Sequence, residues 1–337
     1  MKYIAHFVKG LEEIGWKEIQ NVISDAVLVE KKDKRIVFES NAHYVDLTSL
    51  KVADDIGIYF AGKIVHSIDD ILILLKSIDI ETINDVVGDQ RYLSDLFSLT
   101  ISESKSALLK NENTKLLLRK YIEDTFHLSY AETNHENIDF RIFIDGNYCV
   151  VSMRLTAKPL FHRDYRIFSQ PGALKPTIAQ AMIQVSGIKK GMQIVDLFCG
   201  SGTVLSEALI RGIQVCGGDS DDNSVQITKE NLAIIEWGNS FRIRNELAEH
   251  TQWKDHYFDA VISNLPWDKQ IKVSSLTALY EGTIKESLRI LKKDGRLCLL
   301  VSNPELLVKI IRTYKKNVEI SLYPIGFLGQ NPTIVVI

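Results

Sequence analysis

Two short strings in the C-terminal half of the chain hold residue types that can do chemistry. Asp196-Leu-Phe-Cys-Gly-Ser-Gly-Thr203 follows the mostly apolar run Met192–Val195, and Asn264-Leu-Pro-Trp267 follows the mostly apolar run Phe258–Ile262. Each sets polar groups at the end of a strand that reads as buried, and in open α/β sheets ligands bind beyond the carboxyl ends of the strands. In the first string, Gly200 and Gly202 let the backbone approach a ligand. A helix opening at Thr203 adds free N–H donors, with Phe198 and Ser201 in the same loop. In the second, the Asn264 side-chain carbonyl and the Leu265 backbone carbonyl, held by the rigid Pro266, can accept both hydrogens of an exocyclic amine. Such an amine is a poor nucleophile because its lone pair is delocalised into the ring. Trp267 offers a face for a stacked base, worth roughly 1–3 kcal/mol.

The first string separates two kinds of nucleotide site. A dinucleotide fold needs G-x-G-x-x-G, and here the third position is Leu205. An acid, Asp196, precedes the loop, and a second, Asp219, ends the next strand at Gly217-Gly218-Asp219, where it can accept ribose hydroxyls. Acids at two successive strand ends suit a cofactor with a cationic amino-acid part and a ribose, which describes S-adenosylmethionine (SAM). Asp221 and Asp222 read as helix-capping acids. Glu246, after the third strand, reads equally as an acid facing the adenine edge or as an exposed loop residue. Cys199 reads as a small loop residue rather than a nucleophile. Methyl transfer requires no metal, and no metal is expected.

The elements that must position these strings alternate. Strands are predicted at Gln193–Leu197, Ile213–Gly217, Phe241–Arg244, Phe258–Ser263, Arg296–Val301, Glu319–Pro324 and Thr333–Ile337. Helices are predicted at Thr203–Arg211, Asp222–Glu236, Ser274–Leu291 and Glu305–Tyr314, the third stopped by basic residues and Gly295. That rhythm predicts an α/β fold with a mostly parallel sheet covered on both faces. The N-terminal half opens as strand Tyr3–Val8, helix Leu11–Ile23 and strands Ala26–Glu30 and Arg35–Glu39, ferredoxin-like in rhythm. Ile71–Ile83 and Leu93–Asn111 read as helices or helix with loop. Ile138–Ile144 and Tyr148–Leu155 read as a hairpin across Asp145-Gly146.

A chain of 337 residues with 45% hydrophobic and 25% charged content reads as a soluble protein of two or three domains. Its four cysteines show no C-x-x-C pair and no zinc spacing, so they read as reduced and the protein as cytoplasmic. No apolar run reaches the ~20 residues of a membrane span, and no membrane partner is expected. The net charge of −3 argues against a general DNA coat. A local stripe of Arg154, Lys158, His162, Arg163, Arg166 and Lys175, interleaved with Phe161, Tyr165 and Phe168, is sufficient for RNA. The same stripe reads as readily as a solvated linker face.

Taken together these strings resemble the THUMP-domain SAM-dependent RNA guanine-N2 methyltransferases, over nearly the whole chain. Leu155-Thr-Ala-Lys-Pro-Leu-Phe-His-Arg-Asp-Tyr-Arg166 is similar to the family's interdomain segment, and Gly172-Ala-Leu-Lys-Pro-Thr-Ile-Ala179 to the entry of its catalytic domain. Asp196–Thr203 is similar to its SAM loop, Asn264–Trp267 to its catalytic loop, and Gly10-Leu-Glu-Glu13 to the start of its N-terminal domain. The resemblance implies a ferredoxin-like domain (1–65), a THUMP domain (66–155), a linker (156–176) and a class I Rossmann-fold catalytic domain (177–337) with a seven-stranded, mostly parallel sheet. It implies a monomer that docks the 3′ end of tRNA so that the acceptor stem reaches the site. There a flipped guanine, at position 6 in the members this chain most resembles, would receive its N2 methyl. Thr177 joins the implied cofactor set, and Lys269 the basic residues that contact RNA. Asp268 and Lys269 replace a frequent glycine and arginine, Asp164 a frequent glycine, and Ala173 a proline. Ribosomal-RNA guanine-N2 methylation, adenine-N6 methylation of nucleic acid, a non-catalytic RNA-binding protein of the same fold, and a dehydrogenase are the competing readings.

Overall fold

The computed structural model describes every residue except 80, 82, 84–95, 107, 110, 133–137, 236–240, 268–275 and 328. It divides into two compact units, Met1–His6 with Ile19–Leu160, and Phe7–Glu18 with Phe161–Ile337.

From the N-terminus the chain runs through β1 (Lys2–His6), α1 (Glu12–Val22, whose residues up to Glu18 belong to the second unit), β2 (Val27–Lys32), β3 (Arg35–Glu39), α2 (Tyr44–Thr48) and β4 (Asp55–Ile64). These strands lie in the antiparallel order β2-β3-β1-β4, the arrangement that the β-α-β-β opening predicts. There follow α3 (Ile68–Lys76), β5 (Leu96–Ser104), α4 (Glu112–Phe126), β6 (Ser129–Tyr130), β7 (Ile138–Asp145) and β8 (Tyr148–Arg154). They extend the same sheet as β4-β8-β7-β5-β6, so one eight-stranded sheet crosses the ranges 1–65 and 66–155. The β7–β8 hairpin closes as its turn sequence predicts, Asp145 facing Tyr148 with Gly146 at φ 61°.

The reading of Leu93–Asn111 as helical is corrected: Leu96–Ser104 is a strand, parallel to both β6 and β7. Phe97 and Ser98 are fully buried while the residues beyond them alternate towards solvent, a period that belongs to a sheet. The strand is made by pairing with segments distant in sequence, which a local apolar count does not register.

The second unit contains α5 (Pro176–Val185), β9 (Gln193–Asp196), α6 (Thr203–Ile210), β10 (Gln214–Asp219), α7 (Asp222–Ala233) and β11 (Phe241–Asn245). It continues with β12 (Phe258–Asn264), α8 (Leu276–Ile290), β13 (Leu291–Val301), α9 (Pro304–Tyr314), β14 (Ser321–Pro324) and β15 (Thr333–Val336). The strand order is β11-β10-β9-β12-β13-β15-β14, parallel except for β15, which runs antiparallel to both its neighbours. This is a Rossmann-type doubly wound sheet. Ile194, Val195, Ala260, Val261, Ile262 and Leu299 are fully buried, as expected of parallel strands covered on both faces.

One boundary differs. Helix α8 ends at Ile290 and the chain passes directly into β13, where Leu291 pairs with Phe258. Gly295 is therefore not the helix stop; it lies inside the strand, near the irregularity in the β12–β13 register. Gly10 also has a particular place. At φ 92°, any side chain there would meet the Pro324 carbonyl oxygen at 2.2 Å, so the Gly10–Glu13 stretch belongs with the second unit. Among the described residues no helix is long and apolar enough to cross a membrane, and no cluster of metal-ligating side chains occurs.

Candidate functional site

The winding of the second sheet reverses between β9 and β12, which are hydrogen-bonded neighbours with Val195 opposite Val261. Their carboxyl ends therefore diverge around a crevice, the usual ligand position in such sheets. The two strings noted in the sequence are the two lips of that crevice. They line one cavity of about 760 Å³, with Asp196, Gly200, Asp219, Asn264, Leu265 and Pro266 in its wall.

The first lip is built by local hydrogen bonding. Gly200 and Gly202 have φ of 51° and 80°, a left-handed region that other residues avoid. A Cβ at Gly200 would meet nothing within 4 Å, so that glycine leaves open space where the backbone turns. A Cβ at Gly202 would press on Thr228 at 3.0 Å. The loop is pinned from behind: the Thr228 hydroxyl donates to the Gly200 carbonyl at 2.7 Å, and the Asn231 amide to the Ser201 carbonyl at 2.8 Å. The Gly200 N–H donates to Asp219 at 2.9 Å, tying the first strand end to the second. Leu205, the residue that breaks the dinucleotide pattern, is fully buried, and a Cβ on Gly217 would meet it at 2.6 Å. The close helix-to-strand approach is kept with the glycine on the strand.

Asp196 is 2% exposed, and burial raises its carboxyl to about 7 despite hydrogen bonds from the Ser263 hydroxyl and the Phe198 N–H. Asp219 is raised for the same reason, partly offset by the N–H groups of Asp221 and Gly200. Among the described residues lining the cavity there is no lysine, arginine or histidine. Buried carboxylates without a cationic partner are costly, and a ligand cation would relieve them. Phosphates would meet only like charge. Asp221 caps α7 by accepting from the Ser224 N–H at 3.0 Å, the role its position predicts. Cys199 is buried and its thiol is held well above its ordinary value by burial, so it is no nucleophile.

Two buried side-chain atoms of the second lip are unsatisfied, the Trp267 indole nitrogen in the interior and the Asn264 oxygen in the cavity wall. The Asn264 side-chain oxygen is buried and has no hydrogen-bond partner. Leaving a buried acceptor unpaired costs about 1–3 kcal/mol, so its placement in a cavity wall points to a donor supplied by a ligand. The loop around it is held firmly: the Leu265 N–H donates to Leu300 at 3.0 Å and the Tyr280 hydroxyl to the Pro266 carbonyl at 3.2 Å. Ser263 joins the two lips, accepting from the Leu197 N–H at 2.9 Å while its hydroxyl bonds the Asp196 carboxylate. Nothing in the sequence singles out Ser263 or Tyr280; their roles arise from strand adjacency and from α8.

Other sequence candidates are placed differently. Trp267 is 2% exposed and does not line the cavity, so its ring fills the interior rather than offering a face to a base. Thr177 is fully buried in α5, and Gly202 acts as the N-cap of α6; neither lines the cavity. Glu246 is 9% exposed; one carboxylate oxygen accepts from the Gln252 N–H and the other is buried without a partner beside Gly218.

The basic stripe separates into internal and outer residues. Arg163 donates to Glu207 at 2.8 Å, and Tyr165 donates to the same fully buried carboxylate at 2.6 Å. That triad anchors the segment before α5 onto α6, so Arg163 serves the fold rather than a phosphate. Arg154 is likewise spent, 4% exposed and paired with Asp139 at 2.5 Å. Lys158 and His162 are exposed, Arg166 is half-buried, and Lys175 lies 4.4 Å over the Phe161 ring. Lys269 and Asp268 lie outside the described residues.

The chain is similar to known methyltransferases. Residues 163–323 match the UPF0020 family model, described as an RMKL-like methyltransferase domain. The tRNA (guanine(10)-N2)-dimethyltransferase of Methanothermobacter thermautotrophicus is 31% identical over 40% of this chain and 40% of its own length. The tRNA (guanine(6)-N2)-methyltransferase of Thermus thermophilus is 26% identical over 58% of this chain and 59% of its own. These matches thus span less than two thirds of either relative. The crystal structure of SMU.472 complexed with SAH superposes with a TM-score of 0.78, covering 99% of this chain and 97% of that one at 16% identity, which shows the shared fold. Both of these relatives are named as enzymes that methylate guanine N2 in tRNA.

Proposed function

We propose that this chain, a member of the THUMP-type guanine-N2 RNA methyltransferase family, transfers a methyl group from SAM to the exocyclic N2 amine of a guanosine in tRNA. The observation that carries the reading is the Asn264 oxygen, buried, unpartnered and set in the wall of a cavity whose other lip is acidic.

The residues present fit SAM. Asp196 and Asp219 supply negative charge where a cationic amino acid and a ribose would lie, the Gly200 turn leaves room for close approach, and no basic side chain among the described lining residues calls for phosphate. SAM, when bound, supplies an electrophilic methyl group. The protein's own part is positioning. Asn264, and the Leu265 carbonyl beside the rigid Pro266, accept from the amine and hold its lone pair towards the cofactor side of the cavity. Ser263 keeps the two lips in register. Fixed orientation of this kind can supply several orders of magnitude in rate. The acidic lining disfavours the dehydrogenase reading, because a dinucleotide brings a pyrophosphate.

The choice of tRNA rests on the named relatives, and the choice of acceptor-stem position 6 on the longer of the two alignments. Lys158, His162, Arg166, Lys175 and Lys269 remain the proposed RNA contacts, with Arg154 and Arg163 withdrawn from that set. The test is nucleoside mass spectrometry of tRNA and rRNA from cells with and without the gene. Loss of N2-methylguanosine from tRNA is expected, and an unchanged tRNA profile overturns the reading.

A further inference from the structure

The loop after β11 carries two acids with different surroundings. Glu246 turns towards the second strand end, where a Cβ on Gly218 would meet its Cγ at 3.0 Å. Glu249 turns the other way, towards α8: a Cβ on Gly282 would meet its Cγ at 2.7 Å. One helical turn before Gly282, Leu279 lines the cavity, and the neighbouring Tyr280 holds the Pro266 carbonyl of the catalytic loop. Glu249 lines the same cavity as Asn264 and Leu265. Its carboxylate has no hydrogen bond or ion pair to any described residue. Besides Asp196 and Asp219, the cavity wall therefore presents two further acceptors, the unpartnered Asn264 oxygen and Glu249, the latter packed on the helix whose Tyr280 holds the Pro266 carbonyl.

We propose that Glu249 is the residue that selects guanine, by accepting a hydrogen bond from guanine N1–H while Asn264 accepts from N2. This deepens the proposed function and rests on the reading that the cavity methylates an exocyclic amine. The chemistry of the two purines decides the matter. Next to its amine, guanine carries N1–H, a donor. Next to its own amine, adenine carries N1 as a bare lone pair. A carboxylate satisfies the first and repels the second. Sites built to bond a group that the wrong substrate lacks discriminate by about 10⁴-fold or more. No described lysine, arginine or histidine in the cavity wall competes for the half-buried carboxylate, which leaves it open to a donor from the substrate. Gly282 is what permits this placement, since any side chain there would displace Glu249.

The test compares two targets in one tRNA transcript: the guanosine that becomes labelled from methyl-labelled SAM, and 2-aminopurine substituted for it. 2-Aminopurine keeps the 2-amine but has no hydrogen on N1. The wild type should favour guanosine by about 10⁴-fold or more in kcat/KM. Glu249→Gln, whose amide can donate to a bare N1, should lower guanosine turnover about 100-fold, leave 2-aminopurine unchanged or improved, and leave SAM affinity unchanged by calorimetry. Gly282→Ala should narrow the same ratio while keeping the carboxylate. The fluorescence of 2-aminopurine gives a readout without turnover, and Glu249→Gln should dock that base more tightly than the wild type. Label on guanosine with equal losses on both targets in Glu249→Gln overturns the inference alone. Label on adenosine, or none on any RNA, overturns it together with the function on which it rests.

Discussion

Two regions of this protein bury carboxylates, and they treat them in opposite ways. In the first unit, Asp139 is 1% exposed and receives Arg154 at 2.5 Å, Arg141 at 2.9 Å and the Thr100 hydroxyl at 2.8 Å. Arg141 also reaches Asp55 at 2.7 Å. In the cavity of the second unit, Asp196 is just as buried but receives only a serine hydroxyl and a backbone N–H, with Asp219 raising its carboxyl further. The first arrangement is complete in itself and holds strands β7, β8 and β4 together. The second is incomplete, and what it lacks is a cation. A buried acid with its own arginine is structure; a buried acid without one, in the wall of a cavity, is a receptor for a ligand.

Breaking the complete network should have the largest effect on stability. Arg154→Met leaves Asp139 short of its main partner and should cost about 3–5 kcal/mol in chemical denaturation. Asp196→Asn should cost nothing or stabilise the protein, because it removes an uncompensated charge. Equal destabilisation by the two substitutions would erase the distinction. On turnover the order reverses. Asn264→Ala should lower kcat by about 10²–10³-fold while leaving SAM affinity within about twofold by calorimetry, since in the proposed function its oxygen meets the amine and not the cofactor. Asp196→Asn and Asp219→Ala should each weaken SAM binding, by about 10–100-fold for an ionic or charge-assisted contact; unchanged affinity removes either from the site.

The smallest effect is a pH dependence, and its sign follows from the direction of the shift. Burial raises Asp196 to about 7, so below that pH the carboxyl carries a proton that a cation must displace. SAM affinity should therefore rise with pH and level off above about 7, with a slope approaching tenfold per pH unit on the acid side. In Asp196→Asn that slope should vanish. A flat profile in the wild type would mean that the carboxylate stays ionised throughout and takes no part in binding the cation.

Much of the second unit was legible in the sequence because its signals are local. Glycines at φ above zero, an acid at each of two strand ends, apolar runs of strand length and a helix-capping Asp221 all depend on near neighbours. What escaped the sequence depended on distant ones. Leu96–Ser104 became a strand through parallel pairing with β6 and β7. Arg163 looked like a phosphate contact until Glu207, which stands in a different helix, took up its charge. Trp267 has the right type and spacing for stacking, yet its ring is buried. Ser263, Tyr280 and Glu249 carry no motif of their own, and each owes its place to an element that folds against it.

By itself the sequence determined which groups are available: the acids, the glycines, the asparagine and the rigid proline, each at the end of a strand of the right period. Only the tertiary structure decided which of these groups remain unsatisfied. Hydrogen-bond and charge partners are chosen in three dimensions, so Asp139 and Asp196, both fully buried carboxylates, end respectively in a completed ion network and in a cavity wall without a cationic partner. That difference rests on the arginines of β7 and β8 reaching Asp139, and on no lysine, arginine or histidine among the described residues lining the crevice between β9 and β12.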